Sequence, residues 1–150
     1  MRPASRVLKA ENYEWKGVEK KAYKENSSLF RDVRRFTLLG NQIPELNFET
    51  RYFEIGPGGY SSLEHHRHPH AVVVIRGSGS VILDNEIFSI SAHDVVYIAP
   101  ETIHQFHADN QQHLGFLCVV DRYRDKPAIP DDAEVESRIT SENVLNKIKK

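Results

Sequence analysis

Short runs of β-branched and aromatic residues alternate with turn signals along most of this chain. Val33 to Leu39 reads as a strand, closed by Gly40-Asn41. After a loop interrupted by Pro44, Phe48 to Ile55 (FETRYFEI) has β-formers at both parities, as a strand covered on both sides does. Pro57, Gly58 and Gly59 are read as a turn. Ala71 to Ile75 is too short for a helix and strongly β-branched, so it reads as a buried strand, closed by Gly77-Ser78-Gly79. Val81 to Leu83 and Ile87 to Ile90, joined near Asp84-Asn85, predict a hairpin. A turn at Ser91 to Asp94 and strands at Val95 to Ile98, Gln105 to Ala108 and Leu114 to Val120 complete the series. This regular spacing predicts an all-β sandwich or barrel.

The flanks read differently. Residues 1 to about 14 are expected to be a loose arm, Trp15 to Tyr23 an edge strand, and Asn26 to Ser28 a turn. Asp121 to Pro130 is charged and Pro-punctuated, which predicts a surface connection. Ser141 to Lys150 predicts a short helix with Ser141 as N-cap and a stripe of Val144, Leu145 and Ile148. Lys147, Lys149 and Lys150 suit the negative end of its dipole.

The densest chemistry lies between the Pro-Gly-Gly turn and the aliphatic strand. Glu64, His65, His66, His68 and His70 fall within seven positions. Imidazole and carboxylate bind Zn, Ni, Cu and Fe. In an extended chain, residues two apart share a face, so Glu64, His66, His68 and His70 are placed to point into one interior, with His65 outside. Pro69 marks a bend between two strands.

These residues resemble the first motif of the cupin family. Laid on Gly58, the motif puts Glu64 and His66 at its two His positions, His70 at its Glu position and Gly77 at its closing Gly. The ligand types are kept while two trade places. The segment HDVVYIAPETIHQF resembles the second motif, with His104 at the ligand position. There His93 stands for the turn Gly, Ala99 for the Pro, Glu101 for a second Gly and Ala108 for the final Asn. His93 is a residue that tolerates the left-handed backbone region. The resemblance spans about residues 48 to 120 and implies a double-stranded β-helix (jelly-roll) barrel. An N-terminal arm and strands (1–47) and a C-terminal tail (121–150) complete one domain of 150 residues. It implies a mononuclear divalent transition metal, Fe, Ni, Mn, Zn or Cu, held by Glu64, His66, His70 and His104. A shifted bend makes His66 and His68 the working pair instead, with His68 replacing Glu64. The implied activities are those of dioxygenases, isomerases and lyases of small acids or phenols. The competing readings are a metal-dependent binding or sensor protein without turnover and a purely structural metal site.

Composition narrows the partners. A formal net charge of -1 points away from nucleic acid and anionic membranes. Met1 to Ala10 has no apolar signal region and no stretch approaches a bilayer span, so a cytoplasmic location is expected. Cys118, the single cysteine, excludes an internal disulfide, and its setting in GFLCVV reads as a small buried apolar residue. One parity of Arg51, Tyr52 and Phe53 lines the cavity, and Tyr60 and Gln105 are further candidates. Val72 and Val74 are expected in its wall, whereas His93, His107 and His113 are expected on the surface. Three neutral imidazoles and one carboxylate leave a divalent ion about one positive charge, which suits a small-molecule ligand with an anionic oxygen. Trp15, Tyr23, Leu29 and Phe30 put apolar surface on the arm, which suggests a homodimer.

Overall fold

A computed structural model describes residues 3–22 and 28–150; Tyr23 and the turn expected to begin at Asn26 lie outside them. Ten strands and two short helices are present among these residues. β1 (Ala10–Glu11) and β2 (Glu14–Trp15) form a small hairpin, and β3 (Lys21–Ala22) pairs with β4 (Arg31–Leu39). The barrel itself is built from β5 (Phe48–Tyr60), β6 (His70–Leu83), β7 (Glu86–Ser91), β8 (Val95–Ile98), β9 (His104–Ala108) and β10 (Leu114–Asp121). Helices α1 (Asp132–Arg138) and α2 (Glu142–Lys147) follow.

Two long strands close the barrel because each changes partner partway. β5 pairs antiparallel with β10 from Phe48 to Ile55 and meets β9 at Tyr60↔His107. β6 pairs with β10 up to Gly77, then with β9 from Gly79 to Leu83. Tracing β5, β10, β6 and β9 therefore returns to β5, and β7 and β8 cover the other edge of β6. Closure leaves none of these four strands as a bare edge.

The glycine clusters expected to end strands instead bend them. β5 continues through Pro57 to Tyr60, because Gly56 to Gly59 bulge opposite the single residue Asp32 of β4. β6 likewise runs on through Gly77 (φ 66°), where a β-carbon would stand 1.8 Å from the His113 carbonyl. Val72 and Val74 are buried, while Ala71 and Val73 face outward, so this strand is covered on one side rather than two.

Inside the barrel, Phe106 stacks on Phe116 at 4.3 Å between ring centroids, and Phe53 packs on Phe116 at 5.7 Å. A second cluster lies under the helices, joining Leu63, Ile82 and Ile103 to Val135, Ile139 and Val144. The N-terminal arm is anchored, not loose: Leu8, Trp15 and Val18 pack on Phe36, Leu38 and Tyr52 outside the barrel. None of the described helices is long and apolar enough to cross a membrane.

Candidate metal centre

The histidine segment reaches the interior without forming a regular strand. Residues 61–69 belong to no strand; the bridges Glu64↔His104 and His65↔Ala128 and hydrogen bonds from Ser61 to Phe106 and from Glu101 to His66 tie them down. The expected alternation survives all the same. Glu64, His66, His68 and His70 are buried, whereas Arg67 and Pro69 are exposed and His65 sits outside between Glu101 and Glu134. His70 opens β6, directly after the bend at Pro69, and His104 opens β9 from across the barrel.

His66, His70 and His104 each offer one ring nitrogen, and these three atoms all lie within 4.8 Å of one another. Two of the rings are oriented from behind. Nδ1 of His66 lies 2.6 Å from the His68 carbonyl and Nδ1 of His104 lies 2.8 Å from the Thr102 carbonyl. Both must therefore donate there, which leaves Nε2 as a lone pair; backing of this kind orients metal-ligating histidines. His66 Nε2 is buried with no hydrogen-bond partner among the described residues, a costly state in an apolar interior that a cation would relieve. The donor set thus fits a divalent transition metal and does not select one.

Glu64 and His68 occupy different places around this trio. Glu64 Oε1 lies 4.0 Å from His104 Nε2, and its Oε2 accepts from the Ser62 hydroxyl at 3.0 Å. His68 stacks on His66 with 3.7 Å between centroids, and its Nε2 is 3.1 Å from His70 Nε2. Its Nδ1 is 2.9 Å from Asp125 Oδ1. Asp125 also accepts from the backbone N–H groups of Arg67 and His68, and the Arg67 amide and the His68 ring hold its carboxyl well below the usual range. The stretch from Asp121 to Pro130 is therefore more than a surface connection, since Asp125 braces His68 and Arg124 and Pro127 line the cavity.

Burial favours the neutral form of His68, His70 and His104, the form of imidazole that binds metal. It lowers His104 to about 4, against the pull of Glu64 and the Thr102 carbonyl. Burial lowers His70 far below the ordinary imidazole value, assisted by His104, His66 and Arg51. His68 is lowered by the same cause, with Asp125 opposing.

A cavity of about 200 Å³ adjoins the trio. Its apolar wall is Val33, Phe53, Ile55, Phe106 and Phe116; Val72 and Val74 belong to the core around it instead. Arg51 and Phe53 supply the inward parity of β5, and Tyr52 packs outside. Cys118 is buried as expected, but it also lines the cavity, where Arg51 Nη2 donates to its sulfur at 3.6 Å. Burial raises the thiol and Arg51 opposes the rise. Two residues expected elsewhere serve the outside of the wall. Gln105 is fully buried and donates to the Ser61 and Lys149 carbonyls, and His107 is buried rather than exposed, 2.9 Å from Gln105 Oε1.

A closed antiparallel barrel with imidazoles gathered at one end of its cavity is the architecture of the cupins, and this chain belongs to that family. Residues 51–120 match the family model described as a cupin domain. A curated relative from Rhodospirillum rubrum, named 1-methylthio-D-xylulose 5-phosphate methylsulfurylase, is 42% identical over 124 residues, covering 82% of this chain and 78% of its own. The crystal structure of a cupin 2 conserved barrel domain protein from Rhodopseudomonas palustris is 39% identical and superposes with a TM-score of 0.86, covering 98% of this chain and 100% of its own. A cupin-2 domain from Rhodospirillum rubrum is also 39% identical, with a TM-score of 0.79 and 88% of each chain covered.

Proposed function

We propose that this protein is a metal-dependent enzyme that removes an alkylthio group from a small ketose derivative. The observation that carries the reading is that one cavity is lined by His70 and His104 of the imidazole trio, by Glu64 and by the chain's single thiol, Cys118. The 42% identity to the methylsulfurylase supports it, because that relative's name describes a methylthio group one carbon from a ketone.

His66, His70 and His104, with Glu64 as the fourth ligand, would hold the divalent metal. Held there, a divalent ion would supply Lewis-acid polarisation of a substrate oxygen. Cys118 is placed to take the leaving sulfur. Its thiolate forms an S–S bond to the alkylthio sulfur as the C–S bond breaks. The electron pair of that bond passes to the carbon beside the ketone, which takes up a proton. Two external thiols then reduce the mixed disulfide: the first displaces the alkanethiol and is held on Cys118 as a disulfide, and the second removes it as the oxidised external disulfide and returns the Cys118 thiol. The aromatic wall of Phe53, Phe106 and Phe116 keeps water from the carbon that carries the charge.

Protein loaded with Mn, Fe, Ni or Zn is expected to release methanethiol from 1-methylthio-D-xylulose 5-phosphate in the presence of glutathione. The Cys118→Ser variant is expected to lose at least 100-fold in rate while retaining metal. No release with any of these metals, or full activity in Cys118→Ser, would overturn the reading.

A further inference from the structure

Among the described residues, Arg51 is a buried cation without a counter-ion. It lies on β5 with 8% of its surface exposed, its Nε finds no hydrogen-bond partner among them, and its Nη2 reaches only the Cys118 sulfur at 3.6 Å. The guanidinium stands 4.9 Å from the centre of the Phe53 ring. Other arginines of the fold have carboxylates: Arg76 and Arg34 share Glu54, Arg124 takes Glu49, and Arg138 takes Glu134 and Asp84. A guanidinium stays protonated in a protein, so burial cannot neutralise it. An unpaired buried charge costs several kcal/mol, a penalty offset when an anion arrives.

The position of this cation sets what it faces. Arg51, Arg35 and Arg124 line the inner cavity and also a separate cleft of about 410 Å³ bordered by Gly17, Glu19 and Lys21. They form the partition between the two spaces. His68, His70, His104 and Glu64 line the inner cavity but are absent from that cleft. The wall of the inner cavity thus carries imidazoles with Glu64 and, beside them, guanidinium groups. A ligand that fills it can present a neutral or enolisable oxygen to the first set and a permanent anion to the second.

We infer that Arg51 is the specificity-determining residue for the substrate's phosphate, and that the enzyme takes phosphomonoesters and rejects the free sugars. This deepens the alkylthio-removal reading and rests on it for the sugar part of the substrate. The anion site itself stands on the unpaired guanidinium. Arg is suited to the task because its planar fork offers a phosphate two parallel N–H donors.

The test is calorimetric, on metal-loaded protein, with D-xylulose 5-phosphate, D-xylulose and inorganic phosphate as probes. Wild type is expected to bind the phosphorylated sugar at least 100-fold more tightly than the free sugar, and inorganic phosphate is expected to compete with it. Arg51→Met removes the charge, keeps an unbranched apolar side chain and takes away only the weak contact to the Cys118 sulfur. It is expected to abolish that preference while keeping its metal content and its affinity for D-xylulose. Arg51→Lys is expected to retain part of the preference. Equal affinity of wild type for the two sugars overturns the inference. So does an unchanged preference in Arg51→Met, which would leave Arg51 serving only the Cys118 thiol. Phosphate-selective binding without methanethiol release overturns the activity and leaves the anion site standing.

Discussion

His107 shows how one buried imidazole ties stability to pH. Burial, and then Lys147 and Lys149, lower it from 6.5 to about 4. Between these values the unfolded chain binds a proton that the folded chain refuses, so stability falls as pH drops through that window. The urea midpoint is expected to decrease from pH 7 to pH 5, and less steeply in His107→Gln. An equal decrease in both proteins would assign the effect to His104 and His70, which are lowered by burial in the same direction. Strand parity correctly turns His107 away from the cavity; its burial comes from the C-terminal tail, which no local pattern around residue 107 encodes. Glu64, His66, His68 and His70 were legible for the opposite reason, because alternation is a local property that outlasted the loss of the strand. Asp125 and Arg51 were not: one is a charged residue in a Pro-rich connection, the other one of two parities on a strand covered on both sides. Cys118 was legible as buried, yet its alternation with Leu114, Phe116 and Val120 was the available sign that it faces the barrel interior. His93 and Glu101 adopt φ of 81° and 66°, the left-handed backbone region at two positions where the cupin motif has glycine.

Among the elements, one side chain ties the end of the C-terminal segment to the barrel. Gln105 on β9 donates to the Lys149 carbonyl at 2.7 Å and accepts from the Lys149 N–H at 3.0 Å, while also donating to the Ser61 carbonyl. Leucine at this position would fill the volume and leave those backbone groups unpaired. Gln105→Leu is therefore expected to cost about 2 kcal/mol in urea unfolding, with hydrogen exchange accelerating first in α2. A cost below about 0.5 kcal/mol would mean that the apolar contacts of Val144 and Ile148 hold the tail alone. Helix α2 was readable from Ser141, whose hydroxyl accepts from the Val144 N–H. Helix α1 carries the same kind of signal, since Asp131 accepts from the Glu134 N–H, but it is hidden next to a Pro-rich stretch. The strands were found in place and cut short. Gly58 and Gly77 were read as ends because a glycine turn and a glycine bulge look alike until the partner strand is known.

At the scale of the molecule, a metal on His66, His70 and His104 would join the loosely tied ligand segment to β6 and β9. Binding only the folded state, it is expected to stabilise by about 1.4 kcal/mol for each tenfold rise in free metal above the dissociation constant. The melting temperature of chelator-treated protein should therefore rise on metal addition, and the rise should vanish in His66→Ala and His104→Ala and persist in His113→Ala. The barrel was legible as a whole because its strands and turns recur locally, whereas its cavity is a product of pairings across the entire chain. Trp15, which argued for a two-fold partner, is covered within its own chain by Phe36 and Tyr52. The partner change within β5 and β6 also has a consequence in time. β10 lies between them, pairing Asp121 with Phe48 and Val119 with Ala71. A chain emerging from the ribosome at about 5–20 residues per second completes every histidine of the trio before it completes this strand. The nascent chain thus carries these imidazoles without a barrel to gather them, and a metal held by them would be captured only by the finished polypeptide.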